Sequence, residues 1–453
     1  MSIALLTRRL RAGELSPREA VESYLERIER VNPHLNAYIT VRAEEALTEA
    51  ESAPRGPLYG VPLAVKDLID VAGTPTTAAS KILADNVPQR DADSVARLRA
   101  AGAVILGKLN THEFAFGATT TSPHFGPAHN PWSTDRICGG SSGGSGAAAA
   151  ADLAAGTLGT DTAGSIRIPA CFCGVTGLRP STGLVSNDGV VPVSWTLDAV
   201  GPIARSAEDC ELLLQAIAPQ YQPVEGDVRG LRIGVVKPLF EQANPEVAAV
   251  ASKALDELSA LGAKLETIET APLEEAAPIL QALMLTEAAQ AHLVWLRTHL
   301  EDYGADVRAR LLAGLLLPST AHVTGQRARR WYCDRLERLF DRFDLLAAPE
   351  MPIVPPRIGE QTVEVNNKEI PYRLCLMPFN SPWTLAGLPV LSVPCGFVQG
   401  LPVGLALVGR RLQDATVLRA GRAFQQATDW HEQRPSLAFD SAGKESYTRA
   451  DNA

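Results

Sequence analysis

The stretch from Cys138 to Pro169 constrains the fold of this chain more than any other. It reads CGGSSGGSGAAAAADLAAGTLGTDTAGSIRIP: a Gly/Ser loop, an alanine-rich run, and a second Gly/Ser turn that carries Ser165. Because alanine is the best helix former, a helix is predicted over residues 147–155 with Ser145 as its N-cap. Glycines flank the pair Ser141 and Ser142 and precede Ser165, and they permit backbone conformations that other residues adopt only with strain. Two tight turns therefore present serine hydroxyls, which suits a nucleophile.

Other chemistries fit this stretch less well. A flexible Gly/Ser linker does not usually lead straight into an apolar helix. A phosphate-binding loop needs a lysine after its glycines, and none follows here. Cys138, Cys171 and Cys173 lack the paired spacing of a zinc site, so no metal is expected. The remaining interpretation is a serine nucleophile whose base lies elsewhere in the chain.

Lys66 is the candidate base. The chain has 8 histidines, and all of them lie outside obvious Ser-His-Asp contexts. The apolar residues at positions 61–65 predict a short buried strand that ends at Lys66. Burial disfavours a charged amine and lowers its pKa from about 10.4 toward roughly 7–8, where the amine acts as a base near neutral pH. A lysine at a strand end that reaches for solvent is the structural alternative.

Three motifs together resemble the amidase signature family. They are VKDLID with Lys66, GGSSGGSGAA with Ser141, and GTDTAGSIRIPA with Ser165. GAVILGKLNTHEFAFG, HNPW, GLRPSTGLVS and LDAVGPIARS add to the likeness, which extends from the N-terminal helices to about Pro435. The resemblance implies hydrolysis of amide C–N bonds by a Ser–cis-Ser–Lys triad, with no cofactor and no metal.

The resemblance also implies a role for each site residue by position. Ser165 would be the nucleophile, Ser141 the bridging serine on a cis peptide bond, and Lys66 the terminal base. The oxyanion hole would be formed by the backbone N–H groups of Thr162, Ala163, Gly164 and Ser165. Family members usually carry Gly-Gly-Ser at this turn, so the methyl group of Ala163 is expected to constrain the acyl pocket.

The fold class implied is α/β, with a central mixed twisted β-sheet covered by helices on both faces. A single domain over residues 1–453 is predicted, because no linker composition separates independent units. Its parts are predicted as N-terminal helices (1–55), a signature core (56–210), a variable helical region that covers the substrate (225–370), and C-terminal strands and a helix (371–440).

Composition limits which binding partners and which cellular compartment are expected. A formal net charge of −9 argues against a nucleic-acid groove, so a small-molecule amide is expected as the ligand and no nucleic acid as a partner. No apolar run is long enough to span a membrane or to form a signal peptide, so no membrane partner is expected. The 7 scattered cysteines fit reduced thiols in a cytoplasmic protein. The assemblies that stay open are a homodimer and a complex with a small partner subunit.

Three functions stay open at this point. The first is a free-standing hydrolase of a small amide, urea or carbamate. The segments FAFGATTTSPHFGPAHNP and VEVNN…PFNSPWTLAG resemble those of carboxybiuret-type amidohydrolases, although those relatives carry Asn-Gly-Ser at the nucleophile turn, and urethane or anilide cleavage is a further option. Asn380 and Trp383 are the candidate pocket residues in this region.

The second function is the glutaminase (A-type) subunit of a tRNA-dependent amidotransferase. It ranks lower, because the chain is short for that role and its C-terminal third looks different. The third is a non-catalytic interaction protein on the same scaffold, which the intact Lys66, Ser141 and Ser165 disfavour.

Overall fold

The computed structural model of the chain describes residues 1–437. The last residues of the predicted C-terminal segment, 438–440, lie outside the described residues. The β-strands, in chain order, are β1 (Tyr38–Val41), β2 (Pro62–Lys66), β3 (Val104–Leu109), β4 (Thr121–Ser122), β5 (Gly126–Pro127), β6 (His129–Asn130), β7 (Ser133–Ile137), β8 (Gly156–Asp161), β9 (Thr176–Arg179), β10 (Ala199–Ala204), β11 (Arg232–Val236), β12 (Lys264–Ile268), β13 (Leu345–Pro349), β14 (Thr362–Val365), β15 (Lys368–Pro371), β16 (Val390–Val398) and β17 (Leu401–Gly409).

The α-helices, in chain order, are α1 (Ile3–Ala12), α2 (Pro17–Leu35), α3 (Ala43–Glu51), α4 (Asp93–Ala100), α5 (Gly143–Ala150), α6 (Arg167–Cys173), α7 (Ala207–Ile217), α8 (Lys237–Gln242), α9 (Pro245–Ala260), α10 (Ala276–Ala291), α11 (Leu293–Thr298), α12 (Ala305–Leu316), α13 (Ser319–Glu337), α14 (Tyr372–Leu385) and α15 (Asp414–Ala427). Short 3₁₀ helices cover Lys81–Leu83, Glu113–Ala115, Leu300–Asp302, Arg338–Asp341 and Trp430–Glu432.

One mixed sheet of 11 strands organises the molecule, in the order β1-β3-β2-β8-β10-β9-β16-β17-β13-β11-β12. Strand β2 is parallel to both of its neighbours, and so is β11, whereas the remaining neighbours pair in antiparallel fashion. Helices α5, α6, α7, α9 and α15 pack against this sheet. The predicted α/β class, with a mixed central sheet flanked by helices, is confirmed.

The strands at the centre of the sheet are buried along their whole length. Strands β2, β3, β8 and β10 contain no exposed residue, which explains why β2 and β3 read as apolar runs rather than as alternating patterns. At the N-terminus, Ser16 forms a capping box with Glu19, and Pro17 occupies the first turn of α2. These local signals fix where α2 begins.

The helix predicted over residues 147–155 is displaced in the structure. Helix α5 begins at Gly143 and ends at Ala150, and Ser145 lies inside it with its Oγ donating to the carbonyl of Leu158 at 3.3 Å. The helix begins early because distant groups satisfy its first N–H groups: the N–H of Gly144 donates to the carbonyl of Asn110 at 3.0 Å. A Cβ at Gly144 would collide with that backbone, so glycine allows the close approach.

A helical layer lies beside the sheet and contributes to the cavity described below. Helix α10 packs against α12, α13 and α14. Within residues 1–437, no helix is both long enough and apolar enough to cross a bilayer. The cysteines are free thiols, and all but Cys333 are buried.

Candidate active site

Lys66 ends β2 and is fully buried. Its Nζ lies 2.6 Å from Oγ of Ser141 and 2.8 Å from Oγ1 of Thr160. Burial lowers the pKa of Lys66 to about 7, although the charges of Asp161 and Asp198 oppose this shift. The structural alternative, a strand-end lysine that reaches solvent, is therefore excluded. Near neutral pH, a large share of the Lys66 amines are uncharged and able to accept a proton.

Two hydrogen bonds hold the backbone of Ser141 in place. The Gly140–Ser141 peptide bond is cis, and the serine is fully buried. Its carbonyl accepts from the N–H of His112 and from Oγ1 of Thr120, each at 3.1 Å. These contacts fix the backbone of Ser141, so that its hydroxyl points at Lys66.

Ser165 lies in the turn that follows β8. The carbonyl of Ser165 accepts from the N–H of Ser142 at 3.2 Å, which joins the two serine-bearing turns. Gly164 has φ of +108°, and a Cβ there would collide with Oδ1 of Asn380, so only glycine fits. Ser165 is 8% exposed and lines a cavity. The structure thus brings Lys66, Ser141 and Ser165 into one region.

The backbone donors of this turn are not equivalent. The N–H of Gly164 donates to Oδ1 of Asp161 at 3.0 Å, so this N–H of the predicted oxyanion hole is already engaged. The N–H groups of Ala163 and Ser165 have no hydrogen-bond partner in the part of the chain that the structure describes. Thr162 uses its hydroxyl to donate to Asp198 at 2.6 Å. Ala163 and Ser165 therefore keep free donors beside the cavity.

Asp161 holds the nucleophile turn in place. Its carboxylate accepts from Nε and Nη2 of Arg167 at 3.0 and 3.1 Å, and from Nη1 of Arg179 at 3.1 Å. Burial alone would raise the pKa of Asp161, but the two guanidinium groups hold it well below its ordinary value. Asp161 is therefore ionised near neutral pH, and its ion pairs anchor the turn.

A cavity of about 900 Å³ opens beside Ser165. One part of its wall is apolar and includes Phe116, Ile137, Val193, Met284, Leu376 and Met377. Another part is charged and includes Asp306, Arg310 and Arg373. Such a cavity admits a small molecule and places it against the Ser165 turn.

Sequence reasoning missed one partner of Lys66 and misplaced two pocket residues. Thr160, the second partner of Lys66, lies opposite it only because β8 pairs with β2. The predicted pocket residues Asn380 and Trp383 are buried outside the cavity wall, where Asn380 instead supports Gly164 from behind. Packing decides which polar residues of α14 face the cavity, since Arg373 lines the wall and Asn380 does not.

This chain is similar to known proteins over most of its length. A family model described as Amidase matches residues 19–418. The A-type subunit of the glutamyl-tRNA(Gln) amidotransferase from Moorella thermoacetica is 39% identical over 94% of this chain and 96% of its own length.

Solved structures are also similar. One comes from a vestigial protein complex that bears on the evolutionary origins of an s-triazine catabolic enzyme; its TM-score is 0.88, with 35% identity over 94% of this chain and 98% of that one. The A-type subunit of the glutamyl-tRNA(Gln) amidotransferase from Thermotoga maritima gives a TM-score of 0.79, with 32% identity over 94% of each chain.

These similarities correct two expectations. The expectation of no nucleic-acid partner is wrong, since the curated relatives are named as subunits of an amidotransferase for glutamyl-tRNA(Gln). Net charge misled because it averages the whole surface and reports nothing about a local patch or a partner chain. The low rank of the glutaminase subunit is also not supported, because the relatives match 94–98% of this chain and 96–99% of their own lengths.

Proposed function

The chain belongs to the amidase family, and from that premise we propose that it hydrolyses an amide C–N bond through an acyl-enzyme on Ser165. Ser141 and Lys66 serve as the proton relay. The observation that supports this most is the 2.6 Å separation between the buried Nζ of Lys66 and Oγ of Ser141. A buried amine with hydroxyl partners is costly as a charged structural group and useful as a base.

The proposed reaction moves one proton along the relay. Neutral Lys66 accepts a proton from Ser141, which accepts one from Ser165, and Oγ of Ser165 attacks the substrate carbonyl. The developing oxyanion is stabilised by the free N–H groups of Ala163 and Ser165, with Thr162 as a further candidate. A donor of this kind is typically worth about 2.7–4 kcal/mol to the transition state.

The second half of the reaction releases both products. The same relay returns the proton to the leaving nitrogen, and the C–N bond breaks. Water then attacks the acyl-enzyme on Ser165, and the substrate's acyl portion leaves as a carboxylic acid. Asp161 takes no proton in this scheme, because its role is to hold the turn.

Of the two candidate functions, we place first the glutaminase subunit of a tRNA-dependent amidotransferase, whose substrate would be glutamine. Eight relatives are named as this kind of subunit, and they align with this chain at 36–39% identity over almost its full length. In this role, the chain would release ammonia from glutamine within a complex that contains partner subunits.

A free-standing hydrolase of a small amide, urea or carbamate, including a urethane, is the second candidate. The largely apolar wall of the cavity favours it, since such a wall suits a substrate more apolar than glutamine. In either role, we propose that residues 225–370 cover the substrate, because Met284, Asp306 and Arg310 belong to the cavity wall.

Covalent labelling tests the proposal. A fluorophosphonate probe is expected to leave a mass adduct on Ser165, and the Ser165→Ala variant is expected to lose both the adduct and all turnover. Ser206→Ala, which removes a helix-capping hydroxyl elsewhere in the chain, is the matched control and should keep the adduct. An intact protein mass without adduct, or an adduct on another serine, would refute the assignment.

Two activity assays distinguish the two candidate functions. Release of amine or ammonia from a panel of amides, ureas and carbamates by the purified chain alone favours the free-standing hydrolase. Glutamine hydrolysis that requires partner subunits and glutamyl-tRNA(Gln) favours the amidotransferase role.

A further inference from the structure

Thr119 and Thr121 line the cavity on either side of the buried Thr120. The hydroxyl of Thr120 donates to the carbonyl of Ser141 at 3.1 Å. A Cβ on Gly140 would lie 2.6 Å from the backbone nitrogen of Thr119, so these two segments are in close contact. The outer two threonines therefore form the part of the wall next to the Ser141 loop, and the proposed relay does not use their hydroxyls.

A chain of hydrogen bonds runs from Asp306 through His112 to these threonines. Nε2 of His112 lies 3.0 Å from Oδ2 of Asp306, and Nδ1 of the same ring lies 3.2 Å from Oγ1 of Thr119. Burial lowers the pKa of His112, although Asp306 opposes the shift, so the imidazole is neutral at neutral pH. Burial raises the pKa of Asp306, but the hydrogen bond with His112 and the charge of Arg310 outweigh it and bring that pKa to about 2. A neutral imidazole thus faces an ionised carboxylate.

These charge states fix the direction of each hydrogen bond in the chain. A carboxylate only accepts, so the single N–H of His112 is on Nε2, and Nδ1 is an acceptor. The hydroxyl proton of Thr119 therefore points at Nδ1. Oγ1 of Thr119 also lies 2.8 Å from Oγ1 of Thr121, and because Thr119 has no second proton, Thr121 is the donor in that contact.

Both hydroxyls consequently present only lone pairs to the cavity. In residues 1–437, neither Thr119 nor Thr121 has a further side-chain hydrogen-bond partner. A hydroxyl oxygen has two acceptor positions, so each threonine keeps at least one of them free. This part of the wall can accept a hydrogen bond from a ligand and cannot donate one.

The proposed reaction places the leaving nitrogen next to these acceptors. The carbonyl oxygen of the substrate would point at the free N–H groups of Ala163 and Ser165, on the other side of the reacting carbon. The leaving nitrogen receives its proton from the relay, which includes Ser141. Since Thr119 and Thr121 adjoin the Ser141 loop, the N–H groups of a bound amide would lie beside their oxygens.

We propose that Thr119 and Thr121 form a subsite for the N–H groups of the scissile amide, so that the enzyme favours nitrogen over oxygen leaving groups. An N–H that donates to a threonine orients the nitrogen, so that its lone pair can face the relay. An ester has no N–H and leaves these oxygens without a donor. His112 and Asp306 are positioning residues, because they act by setting the direction of the Thr119 hydroxyl. This inference rests on the proposed function, and it specifies primary and secondary amides as the substrate class.

Ligand binding to the Ser165→Ala variant tests the subsite without any need for turnover. Butanamide and pentan-2-one have the same shape and differ in one group, NH₂ against CH₃. Butanamide is expected to bind more tightly in NMR titrations. Thr119→Val in this background should lower the amide-to-ketone affinity ratio about three- to tenfold, because one neutral hydrogen bond is lost. Thr119→Ser should restore the ratio, since it keeps the hydroxyl.

Thr324→Val is the matched control, since Thr324 is an exposed threonine on α13 and does not line the cavity. It should keep the affinity ratio of its parent. Thr121→Val should lower the ratio in the same direction as Thr119→Val. An unchanged ratio in both of these variants, or equal affinity of the parent for the two ligands, would overturn the subsite.

A kinetic comparison adds a second readout. Butanamide and methyl butanoate share the acyl group and differ in the leaving group. Thr119→Val is expected to lower kcat/KM for the amide about three- to tenfold more than for the ester. Failure of the fluorophosphonate to label Ser165 would refute the proposed function, while the affinity ratio in the Ser165→Ala protein still reports on the subsite. Normal labelling with an unchanged ratio in the threonine variants would refute the subsite alone.

Discussion

Lys66 and Lys108 are fully buried on neighbouring strands, yet their surroundings differ in one decisive respect. Nζ of Lys108 lies 3.0 Å from Oδ1 of Asp67 and 2.6 Å from Oγ1 of Thr76. Lys66 has hydroxyl groups in the corresponding places and no carboxylate within ion-pair distance in the described part of the chain. The first lysine is thus half of a buried ion pair, and the second is a buried amine without a counter-ion.

One sheet thus contains two buried lysines whose surroundings affect their pKa differently. Burial lowers the pKa of both lysines, but the charge and hydrogen bond of Asp67 oppose the shift at Lys108. At Lys66 only the more distant Asp161 and Asp198 oppose it, and its pKa falls to about 7. A counter-ion at contact distance makes a lysine structural, and its absence makes a lysine available as a base.

The largest expected effect is on catalysis, from Lys66→Met. We expect hydrolysis and fluorophosphonate labelling to slow by roughly 10³–10⁴-fold, because the general base is lost. Initial rates and labelling kinetics measure this. Lys253→Met, at an exposed position on α9, is the control and should be silent. Retention of activity by Lys66→Met would remove the distinction between the two lysines.

The next effect is on stability, from Lys108→Met. Removal of one partner leaves Asp67 as a buried carboxylate without its counter-ion, so the free energy of unfolding should fall by about 3–5 kcal/mol. Urea unfolding followed by circular dichroism measures it. The double variant Asp67→Asn with Lys108→Met should recover much of the loss, since neither charge remains. If the double variant is less stable than Lys108→Met, the pair is not the source of the effect.

The pH dependence of labelling sharpens the comparison further. Only the neutral amine of Lys66 accepts a proton, so the rate should fall about tenfold per pH unit below pH 7 and level off above it. Protonation of Lys108 should not affect this profile. The folded Lys108→Met protein should therefore show the same midpoint. A midpoint far from 7 would assign the base to another group.

The free energy of unfolding should also depend on pH through the pKa of Lys66. The folded pKa of Lys66, about 7, lies below the unfolded value, so between these values the unfolded chain binds more protons. The contribution of Lys66 to stability is therefore complete above the unfolded pKa and is lost as the pH falls through about 7. Relative to Lys66→Met, the wild-type protein should gain about 2 kcal/mol between pH 7 and pH 9, as measured by urea unfolding at each pH. A difference that is independent of pH would contradict the depressed pKa.

The smallest expected effect comes from Thr160→Val. The hydroxyl of Thr160 stabilises the charged form of Lys66, so its removal should lower the pKa of Lys66 further and move the midpoint of the pH profile to lower pH. We expect a rate change of about three- to tenfold, in line with one neutral hydrogen bond. An unchanged midpoint would show that Thr160 does not set the basicity of Lys66.

Local signals predicted Lys66, Ser141 and Ser165, because each lies in a short segment whose glycines or apolar neighbours constrain it. Thr160 and the pairing of Asp67 with Lys108 were missed, since they depend on the register of β2 against β3 and β8. The buried strand that ends at Lys66 followed from its run of apolar residues, whereas the order of the strands did not follow from the sequence, because β10 inserts between β8 and β9. Long-range pairing of this kind leaves no local pattern.

The charged part of the cavity wall was invisible in the sequence for a similar reason. Asp306 and Arg310 show the i, i+4 spacing of an ordinary surface pair on a helix, and Arg373 lies more than sixty residues further along. Only the packing of α12 and α14 around α10 brings them to one wall. The engaged N–H of Gly164 was likewise unpredictable, since it depends on the rotamer of Asp161.

The cavity wall draws on two separate stretches of chain, and this division has an evolutionary consequence. The proposed reactive groups all come from residues 66–165, whereas Met284, Arg310 and Arg373 come from the later helices. Natural variation in those helices can redirect the enzyme toward a new amide while the bond-breaking apparatus is inherited intact. A mutant library confined to α10, α12 and the start of α14 is accordingly the shortest experimental route to a changed substrate range.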